Sequence, residues 1–316
     1  RMEEGYDTTA VRRNGDLNAL RVEGGLFGRV EQGYWRAKVY FYNSERGYPG
    51  AIVRNKFSHE DRQWDTNFFA QGSFKKDFKP WYSLLVNAKY AYDYLHYLAD
   101  PNKDESLMYT NNHYYQQEAY LSAANRFTIF PWWEVNLSAD WQFNLLNADL
   151  RDFVYPRRHT LLAAAATAMR FDRVEIQASL LGTLVHDRTK GDRMSDKRKL
   201  TPAVFLSWRP FERAGINIRA FYKRIFRMPT LNDLYYTFVG NVDLDPEFTT
   251  QYDAGITYSR TFEHTWLRSL ELQADVYYNQ VDNKIVATPT SNFFRWTMVN
   301  LGNVEIRGID AALESG

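Results

Sequence analysis

The chain of 316 residues contains no cysteine. A disulfide framework and a thiolate metal site are therefore both excluded. The chain also lacks a surplus of either charge, since 39 Lys and Arg residues stand against 38 Asp and Glu residues. Because nucleic-acid-binding proteins generally present a strongly basic face, this balance disfavours nucleic acid as a partner.

Long apolar runs are absent as well. The nearest is the alanine-rich stretch 161–169, which is far shorter than the ~18 residues that a membrane-spanning helix needs. A helical membrane protein is thus excluded. The chain starts at Arg1 without a basic segment followed by an apolar core, and it stops within the strand-like run 311–313. We therefore expect an internal piece of a longer protein.

Aromatic residues, in contrast, are abundant. The 22 Tyr, 21 Phe and 9 Trp residues make up 16% of the chain, yet the mean hydropathy is only −0.53. Rings with an apolar body and a polar tip collect at the boundary between an apolar slab and water. The composition favours such a boundary, although an aromatic-rich soluble β-protein would share it.

Alternation with a period of two is the main structural signal. In the stretch 132–147, the apolar residues Val135, Leu137 and Trp141 interleave with polar ones, and 270–279 and 216–220 repeat the pattern. Such alternation predicts strands with one apolar and one polar face. We expect about fifteen strands, many of them longer than the ~9 to 11 residues that a tilted strand needs to cross a bilayer.

The predicted connections alternate between short and long. Short turns are expected at 31–33, 79–80, 131, 172, 210–215, 262–265 and 301–303. Long loops are expected at 43–63, 99–113, 147–158, 189–197 and 226–248. A meander with one tight end and one elaborate end is typical of outer-membrane barrels, whereas soluble sandwiches mix their loop lengths.

Aromatic residues cluster beside the short turns. These residues are Tyr34, Trp35, Phe78, Trp81, Tyr82, Phe130, Trp132, Trp133, Phe171, Trp208, Phe211, Phe262 and Trp266. The repetition predicts a girdle of rings at one membrane boundary. In the alternative, the rings would plug the open end of a soluble sandwich.

Two segments near the C-terminal third resemble a known signature. The run 226–235 reads FRMPTLNDLY and the run 240–247 reads GNVDLDPE. They resemble the FRxPTxxELY and GNxxLxPE elements in the barrels of TonB-dependent receptors, and 251–255 and 300–310 resemble two further elements of that family. The matching residues are Phe226, Arg227, Pro229, Leu231, Asn232, Leu234, Tyr235, Gly240, Asn241, Leu244, Pro246 and Glu247.

The resemblance implies an all-β fold, an antiparallel transmembrane β-barrel of about 22 strands that a separate plug domain closes. Residues 1–316 would be a fragment of that single barrel domain, with about fifteen of the strands and without the plug. The family's barrels stand in the Gram-negative outer membrane, in contact with its lipid. The TonB complex would act through the missing plug region.

The resemblance also implies a function. Receptors of this family capture a metal-chelate nutrient, such as a ferric siderophore or cobalamin, at extracellular loops and import it actively to the periplasm. Haem is disfavoured as the ligand, because the histidine that haem receptors commonly carry between the two signature halves is missing between Pro229 and Gly240. Passive diffusion through a porin is the alternative function, and a soluble β-sandwich binding module is a second one.

The candidate ligand-binding residues are loop-borne rings and cations. Large rigid rings give contact area for a bulky chelate at little entropic cost, and arginine pairs with anionic groups. The candidates are Tyr109, His113, Tyr114, Tyr115, Tyr235, Tyr236, Phe238, Trp296, Arg157 and Arg193. We expect the signature residues themselves to be structural, since proline fixes backbone angles.

Enzymatic activity is not expected. The chain has no G-x-S-x-G nucleophile motif, and import requires no covalent chemistry of the barrel. We therefore expect no catalytic residue, no bound metal of its own and no cofactor.

Overall fold

The computed structural model describes residues 9–50, 52, 57–103, 109–191, 194–236, 239–263, 268–289 and 296–315. These residues form thirteen strands and one short helix. The strands are β1 (Leu17–Val30), β2 (Gly33–Tyr48), β3 (Asp61–Lys79), β4 (Tyr82–Ala99), β5 (Thr110–Phe130), β6 (Trp133–Ala148), β7 (Arg157–Arg170), β8 (Val174–Arg188), β9 (Met194–Trp208), β10 (Ile216–Arg227), β11 (Glu247–Thr261), β12 (Ser269–Pro289) and β13 (Trp296–Ser315). The helix, α1 (Leu231–Tyr235), lies between β10 and β11. Across the described ranges, no helix is long and apolar enough to cross a membrane.

All thirteen strands belong to one sheet and follow each other in sequence order. Each neighbouring pair is antiparallel, as in β6 and β7, where Leu137 pairs with Ala165. Within the described part of the chain β1 and β13 do not pair with each other, so the wall is open at both edges. The expected incomplete antiparallel wall is confirmed, with thirteen strands in place of about fifteen.

The connections alternate in length as predicted from β1 to β8, but not beyond, because five residues separate β8 from β9 where a long loop is predicted and seven separate β9 from β10 where a short turn is predicted. Turns of two or three residues join β1 to β2, β3 to β4, β5 to β6 and β7 to β8, whereas twelve residues separate β2 from β3 and nineteen separate β10 from β11. One predicted turn is wrong. Residues 301–303 lie inside β13, where Leu301 pairs with Lys284 and Asn303 pairs with Asp282. The pairing keeps its register there, although Asn283, opposite this segment, has a φ of 55°, and glycine beside asparagine has the composition of a turn.

The two faces of the sheet differ as the alternation requires. One face carries exposed apolar side chains, among them Leu137 on β6, Leu161 on β7 and Leu184 on β8, which are 44–46% exposed. The opposite face carries polar side chains, such as Gln142 and Asn144 on β6, and the α1 segment packs on it. Exposed apolar residues in register on neighbouring strands form the surface that lipid would cover, and the other face lines the lumen.

Rings gather at the short-turn end of the sheet. Phe130 stacks on Trp132 at 5.5 Å between ring centroids, Trp132 stacks on Phe171 at 5.3 Å, and Phe78 stacks on Tyr82 at 5.7 Å. The Trp132–Phe171 contact joins two neighbouring hairpins. The predicted girdle is present at this end, except that Trp266 lies outside the described residues.

Candidate functional site

The connection between β10 and β11 begins with a capped helix. Thr230 is the N-cap of α1, and its Oγ1 accepts a hydrogen bond from the Asp233 backbone N–H at 3.0 Å. The Asp233 carboxylate in turn accepts from the Thr230 N–H at 2.9 Å. This reciprocal pair is a capping box, which satisfies backbone donors that a helix of five residues would otherwise leave open.

A buried arginine attaches this connection to the barrel wall. Arg158 on β7 donates from Nε and Nη2 to the two carboxylate oxygens of Asp187 on β8, both at 2.6 Å. Its Nη1 also donates to the carbonyl oxygen of Pro229, which is itself buried. The side chains of Arg158 and Asp187 are only 7% and 13% exposed. A planar guanidinium can hold two carboxylate oxygens and a carbonyl at once, so it fixes the start of α1 on the wall.

The second half of the connection returns along β12 and β13. The Asn241 amide donates to the Met298 carbonyl at 3.0 Å, and the Asn300 amide donates to the Asp245 carbonyl at 3.0 Å. Gly240 lies so close to the helix that an added Cβ would approach the Tyr236 nitrogen at 2.7 Å. The asparagines and this glycine therefore have identifiable structural roles in the signature run.

Apolar packing covers the inner side of α1. Leu231 is 5% exposed and lies in one cluster with Tyr114, Leu146 and Phe153, while Leu234 packs with Leu244 and Ile285. The two buried leucines of α1 thus face opposite parts of the wall. The connection is folded inward over the lumen and does not extend away from the barrel.

The inward fold brings tyrosines together at the long-loop end of the lumen. Tyr236 stacks on Tyr114 at 4.6 Å between centroids. Tyr48 and Tyr97, at the outer ends of β2 and β4, lie 6.4 Å apart and interact electrostatically with Tyr236. We call Tyr48, Tyr97, Tyr114 and Tyr236, with the neighbouring Tyr235, the lumen-mouth tyrosines. Burial is the main cause that raises the pKa of both Tyr235 and Tyr236.

Polar groups surround these rings. The Tyr97 hydroxyl donates to the Asp61 carboxylate, and Arg46 pairs with Asp65 at 2.6 Å. Among the described residues, Arg46 Nε and Asp61 Oδ1 are buried side-chain atoms without a hydrogen-bond partner. Unsatisfied buried polar atoms are costly, and a bound ligand with its own polar groups could satisfy them.

A polar cavity of about 500 Å³ lies below α1. Its wall includes Glu118, which accepts hydrogen bonds from Lys89 at 3.2 Å and from Gln142 and Asn144 at 3.3 Å each. The loop side of the cavity is formed by Met228 and α1. The amide side chains of the lining can accept and donate hydrogen bonds to a polar solute, while Leu162, Leu181 and Phe226 give the cavity an apolar part.

The structure divides the predicted ligand-binding residues between two faces. Tyr114, Tyr235 and Tyr236 meet at the lumen mouth. His113, Tyr115 and Arg157 lie on the opposite, lipid-side face, where the His113 ring stacks on His96 at 3.9 Å between centroids. Tyr109 is exposed ahead of β5, and Trp296 is exposed at the start of β13. Phe238 and Arg193 lie outside the described residues.

Sequence reasoning did not select Tyr48, Tyr97 or the clamp role of Arg158. Tyr48 ends β2 and Tyr97 lies two residues before the end of β4, so both look like ordinary wall residues in the sequence, and only the register shows that they share a face. Arg158 and Arg157 are adjacent in sequence, but they point to opposite faces because they lie on one strand. Extending the alternation of β7 to its first residues could have separated the two arginines.

Comparison with known proteins agrees with this architecture. A family model described as TonB dependent receptor-like, beta-barrel matches residues 4–315. The vitamin B12 transporter BtuB of Vibrio vulnificus is 32% identical over 93 residues, which are 29% of this chain and 14% of that protein.

Solved structures show the same fold at low identity. The FrpB iron transporter of Neisseria meningitidis superposes with a TM-score of 0.67 at 10% identity, over 94% of this chain and 49% of that one. The hemophore receptor HasR of Serratia marcescens gives 0.68 at 12% identity, over 95% and 52%. BauA of Acinetobacter baumannii, the ferric preacinetobactin receptor, gives 0.61 at 13% identity, over 94% and 52%.

The chain spans about half the length of these solved receptors. The match of the family model covers nearly all of the chain, and the open antiparallel wall, the alternating connections and the inward α1 segment fit a barrel of this kind. The chain belongs to the TonB-dependent receptor β-barrel family.

Proposed function

We propose that this chain is the greater part of the barrel wall of an outer-membrane importer, which takes up a metal-chelate nutrient such as a ferric siderophore or cobalamin. The whole protein would carry a plug domain, through which the TonB complex supplies energy. The observation that carries the proposal is the inward-folded connection, which places Tyr236 on Tyr114 at the lumen mouth. A ligand captured from outside would meet these rings before it reached the lumen.

The chemistry of the mouth supports a bulky chelate with polar edges. The lumen-mouth tyrosines offer flat apolar surface at small entropic cost. Arg46 Nε and Asp61 Oδ1 offer a free donor and a free acceptor beside them, within the described residues. The names of two similar proteins fit the same class, because one is a B12 transporter and another is a receptor for a ferric chelate.

The remaining candidate residues lie outside the lumen mouth. Tyr109 and Trp296 are exposed near the long loops and would make early contacts with the ligand. Phe238 and Arg193 belong by sequence to two other connections at that end. His113, Tyr115 and Arg157 face away from the lumen. These three side chains could contact the ligand only if it passed over the outer edge of the barrel wall.

Uptake in a deletion strain tests the proposal. The strain would be given single ferric chelates or cobalamin as the sole source and complemented with the full-length protein. We expect uptake that requires TonB, and about tenfold weaker apparent affinity for Tyr236→Ala, since one lost ring contact is worth about 1.4 kcal/mol. Tyr252→Ala, a matched change on the lipid-side face where Tyr252 is 48% exposed, should leave uptake unchanged.

Three outcomes would contradict the proposal. Diffusion of small hydrophilic solutes without TonB, together with no plug sequence ahead of the barrel, would assign the protein to the passive porins. Equal uptake by wild type and Tyr236→Ala would show that the ligand does not bind at the lumen mouth. Native protein that stays dispersed without detergent would favour a soluble binding module.

A further inference from the structure

A short segment ahead of β1, residues 9–16, lies across the outer ends of β2 and β3. Asn14 makes its central contact. The Asn14 Nδ2 donates to the carbonyl oxygens of His59 and Asp61, both at 2.8 Å, and lies 3.5 Å from the carbonyl oxygen of Tyr48. One side chain therefore joins the last residue of β2 to the residues that enter β3.

Asparagine suits this position for several reasons. The Asn14 backbone has a φ of 57°, in the left-handed region that asparagine adopts more readily than most residues with a side chain. Its amide supplies two donors and an acceptor, and the acceptor Oδ1 takes a hydrogen bond from Arg62 Nη1 at 3.1 Å. Gly47 leaves room for this side chain, because a Cβ on Gly47 would come within 2.2 Å of the Asn14 Oδ1.

Further contacts anchor the segment on both sides of Asn14. The Arg13 backbone N–H donates to Ser58 Oγ at 2.6 Å. On the other side, the Arg62 guanidinium donates to the two carboxylate oxygens of Asp16 at 2.9 and 3.0 Å. The Asp16 carbonyl oxygen accepts from the Gly47 N–H at 3.0 Å. The Asn14 amide is thus held in one place over the ends of β2 and β3.

The residues that Asn14 contacts belong to the lumen mouth or lie beside it. Tyr48 and Asp61 form the last pair of the β2–β3 ladder, and their side chains point to the same face as Tyr97. The Tyr97 hydroxyl donates to the Asp61 carboxylate, and the Tyr97 ring lies 6.4 Å from the Tyr48 ring between centroids. The hydrogen bonds of Asn14 to this backbone therefore determine where the Tyr48 ring and the Asp61 carboxylate lie.

We propose that Asn14 is a positioning residue of the lumen mouth, which fixes Tyr48 and Asp61 for contact with the ligand. This inference rests on the function proposed above for the identity of the ligand. Without the Asn14 amide, two well-formed hydrogen bonds to backbone carbonyls are lost, and the outer end of the β2–β3 pair opens more often. The unpartnered Asp61 Oδ1 then has no fixed position. A ligand would bind more weakly, because it would have to order the site that it enters.

A fluorine label at Tyr97 tests the positioning without any ligand. 3-Fluorotyrosine is placed at position 97 of the full-length protein, where its ¹⁹F resonance reports the hydrogen bond to Asp61. Asn14→Gly should move the resonance toward its value in Asp61→Ala, because glycine keeps the left-handed backbone and removes only the amide. Asn14→Asp keeps the shape of the side chain but not its donors, so it should move the resonance in the same direction.

Equilibrium binding tests the consequence for capture. The probes are cyanocobalamin and the ferric complex of 2,3-dihydroxybenzoate. For a probe that the wild type binds, Asn14→Gly should raise the Kd about tenfold, which is about 1.4 kcal/mol. The maximal rate of TonB-dependent uptake should stay as in wild type, since Asn14 acts on capture and not on the later transport step.

Arg13→Ala is the matched control in the same segment. Across the described residues, the Arg13 side chain forms no hydrogen bond or ion pair, and its backbone N–H keeps the contact with Ser58 after the change. The variant should therefore show the resonance and the Kd of wild type.

The two measurements separate this inference from the proposed function. A wild-type protein that binds neither probe would count against the proposed function alone, and the ¹⁹F resonance would still decide the role of Asn14. An unchanged resonance in Asn14→Gly would overturn the inference. So would a moved resonance with an unchanged Kd, because Asn14 would then hold the strand ends without serving the ligand. Equal effects of Asn14→Gly and Arg13→Ala would also overturn it, since the amide would not be the cause.

Discussion

Replacement of Arg158 by alanine should release the α1 segment from the barrel wall. The change removes two hydrogen bonds to Asp187, each at 2.6 Å, and the hydrogen bond to the Pro229 carbonyl. It also leaves the Asp187 carboxylate, whose side chain is 13% exposed, without its counter-ion. Breaking one partner of a buried ion pair generally costs about 3 to 5 kcal/mol.

The lower end of that range applies to this site. The neighbouring polar cavity opens beside Arg158, so water can reach the uncompensated carboxylate and reduce the penalty. A loss of about 3 kcal/mol corresponds to roughly a hundredfold change in the equilibrium for local opening. Removing both partners in Arg158→Ala with Asp187→Ala should restore part of the loss, because no unpaired charge then remains.

Amide hydrogen exchange measures this opening directly. The backbone N–H groups of Tyr236, Gly240 and Asn241 are protected by hydrogen bonds to Asn232, Tyr236 and Asp233. Their exchange in the full-length protein should accelerate roughly a hundredfold in Arg158→Ala. In Arg157→Ala, the adjacent residue on the opposite face, exchange should stay as in wild type. Unchanged exchange in Arg158→Ala would show that Arg158 does not hold the α1 segment on the barrel wall.

Three further changes give independent predictions. Gly240→Ala forces a Cβ to within 2.8 Å of backbone atoms of α1, so exchange of that segment should rise by an amount equivalent to about 1 to 3 kcal/mol. Leu180→Lys, in the middle of the lipid-side face of β8, should lower barrel stability in urea by about 2 to 4 kcal/mol, whereas Ser179→Lys on the lumen face should cost much less. Burial raises the pKa of Tyr235 and Tyr236 above 10.0, so the neutral phenols stabilise the docked segment fully below pH 10.0 and this contribution is lost as pH rises through the raised values. Tyrosinate absorbance should show that these two residues ionise at a higher pH than exposed tyrosines, and Tyr236→Phe should remove part of that high-pH signal.

The sequence was sufficient for the wall but not for the connection that folds into it. Alternation such as that of Val135, Leu137 and Trp141 depends only on local geometry, so it predicted faces and turns. The sequence predicts a turn at 301–303, because glycine beside asparagine is typical of turns, yet the pairing of β12 with β13 continues through this segment. Because β13 continues through 301–303, two predicted strands are one strand in the structure. This accounts for part of the difference between the fifteen strands expected and the thirteen observed.

The lumen mouth could not be assembled from sequence, because its members are distant in the chain. Tyr48, Tyr97 and Tyr236 become neighbours only through the register of several strands and the inward fold of the α1 segment. The division of Arg157 from Arg158 is also a consequence of register. The resemblance identified the family. The face on which each ring and each cation lies follows only from the strand register.

A barrel wall requires that successive side chains of β6 face lipid and lumen alternately. The chain contains no cysteine, so a cysteine introduced at each of positions 135–145 in turn can carry a spin label in native outer membranes, once any cysteine elsewhere in the full-length protein has been replaced by serine. Collision with lipid-soluble oxygen should be high at 135, 137, 139, 141, 143 and 145, and collision with a water-soluble nickel chelate should be high at the positions between them. A helical period, or equal access of both reagents throughout, would contradict a barrel wall in this segment.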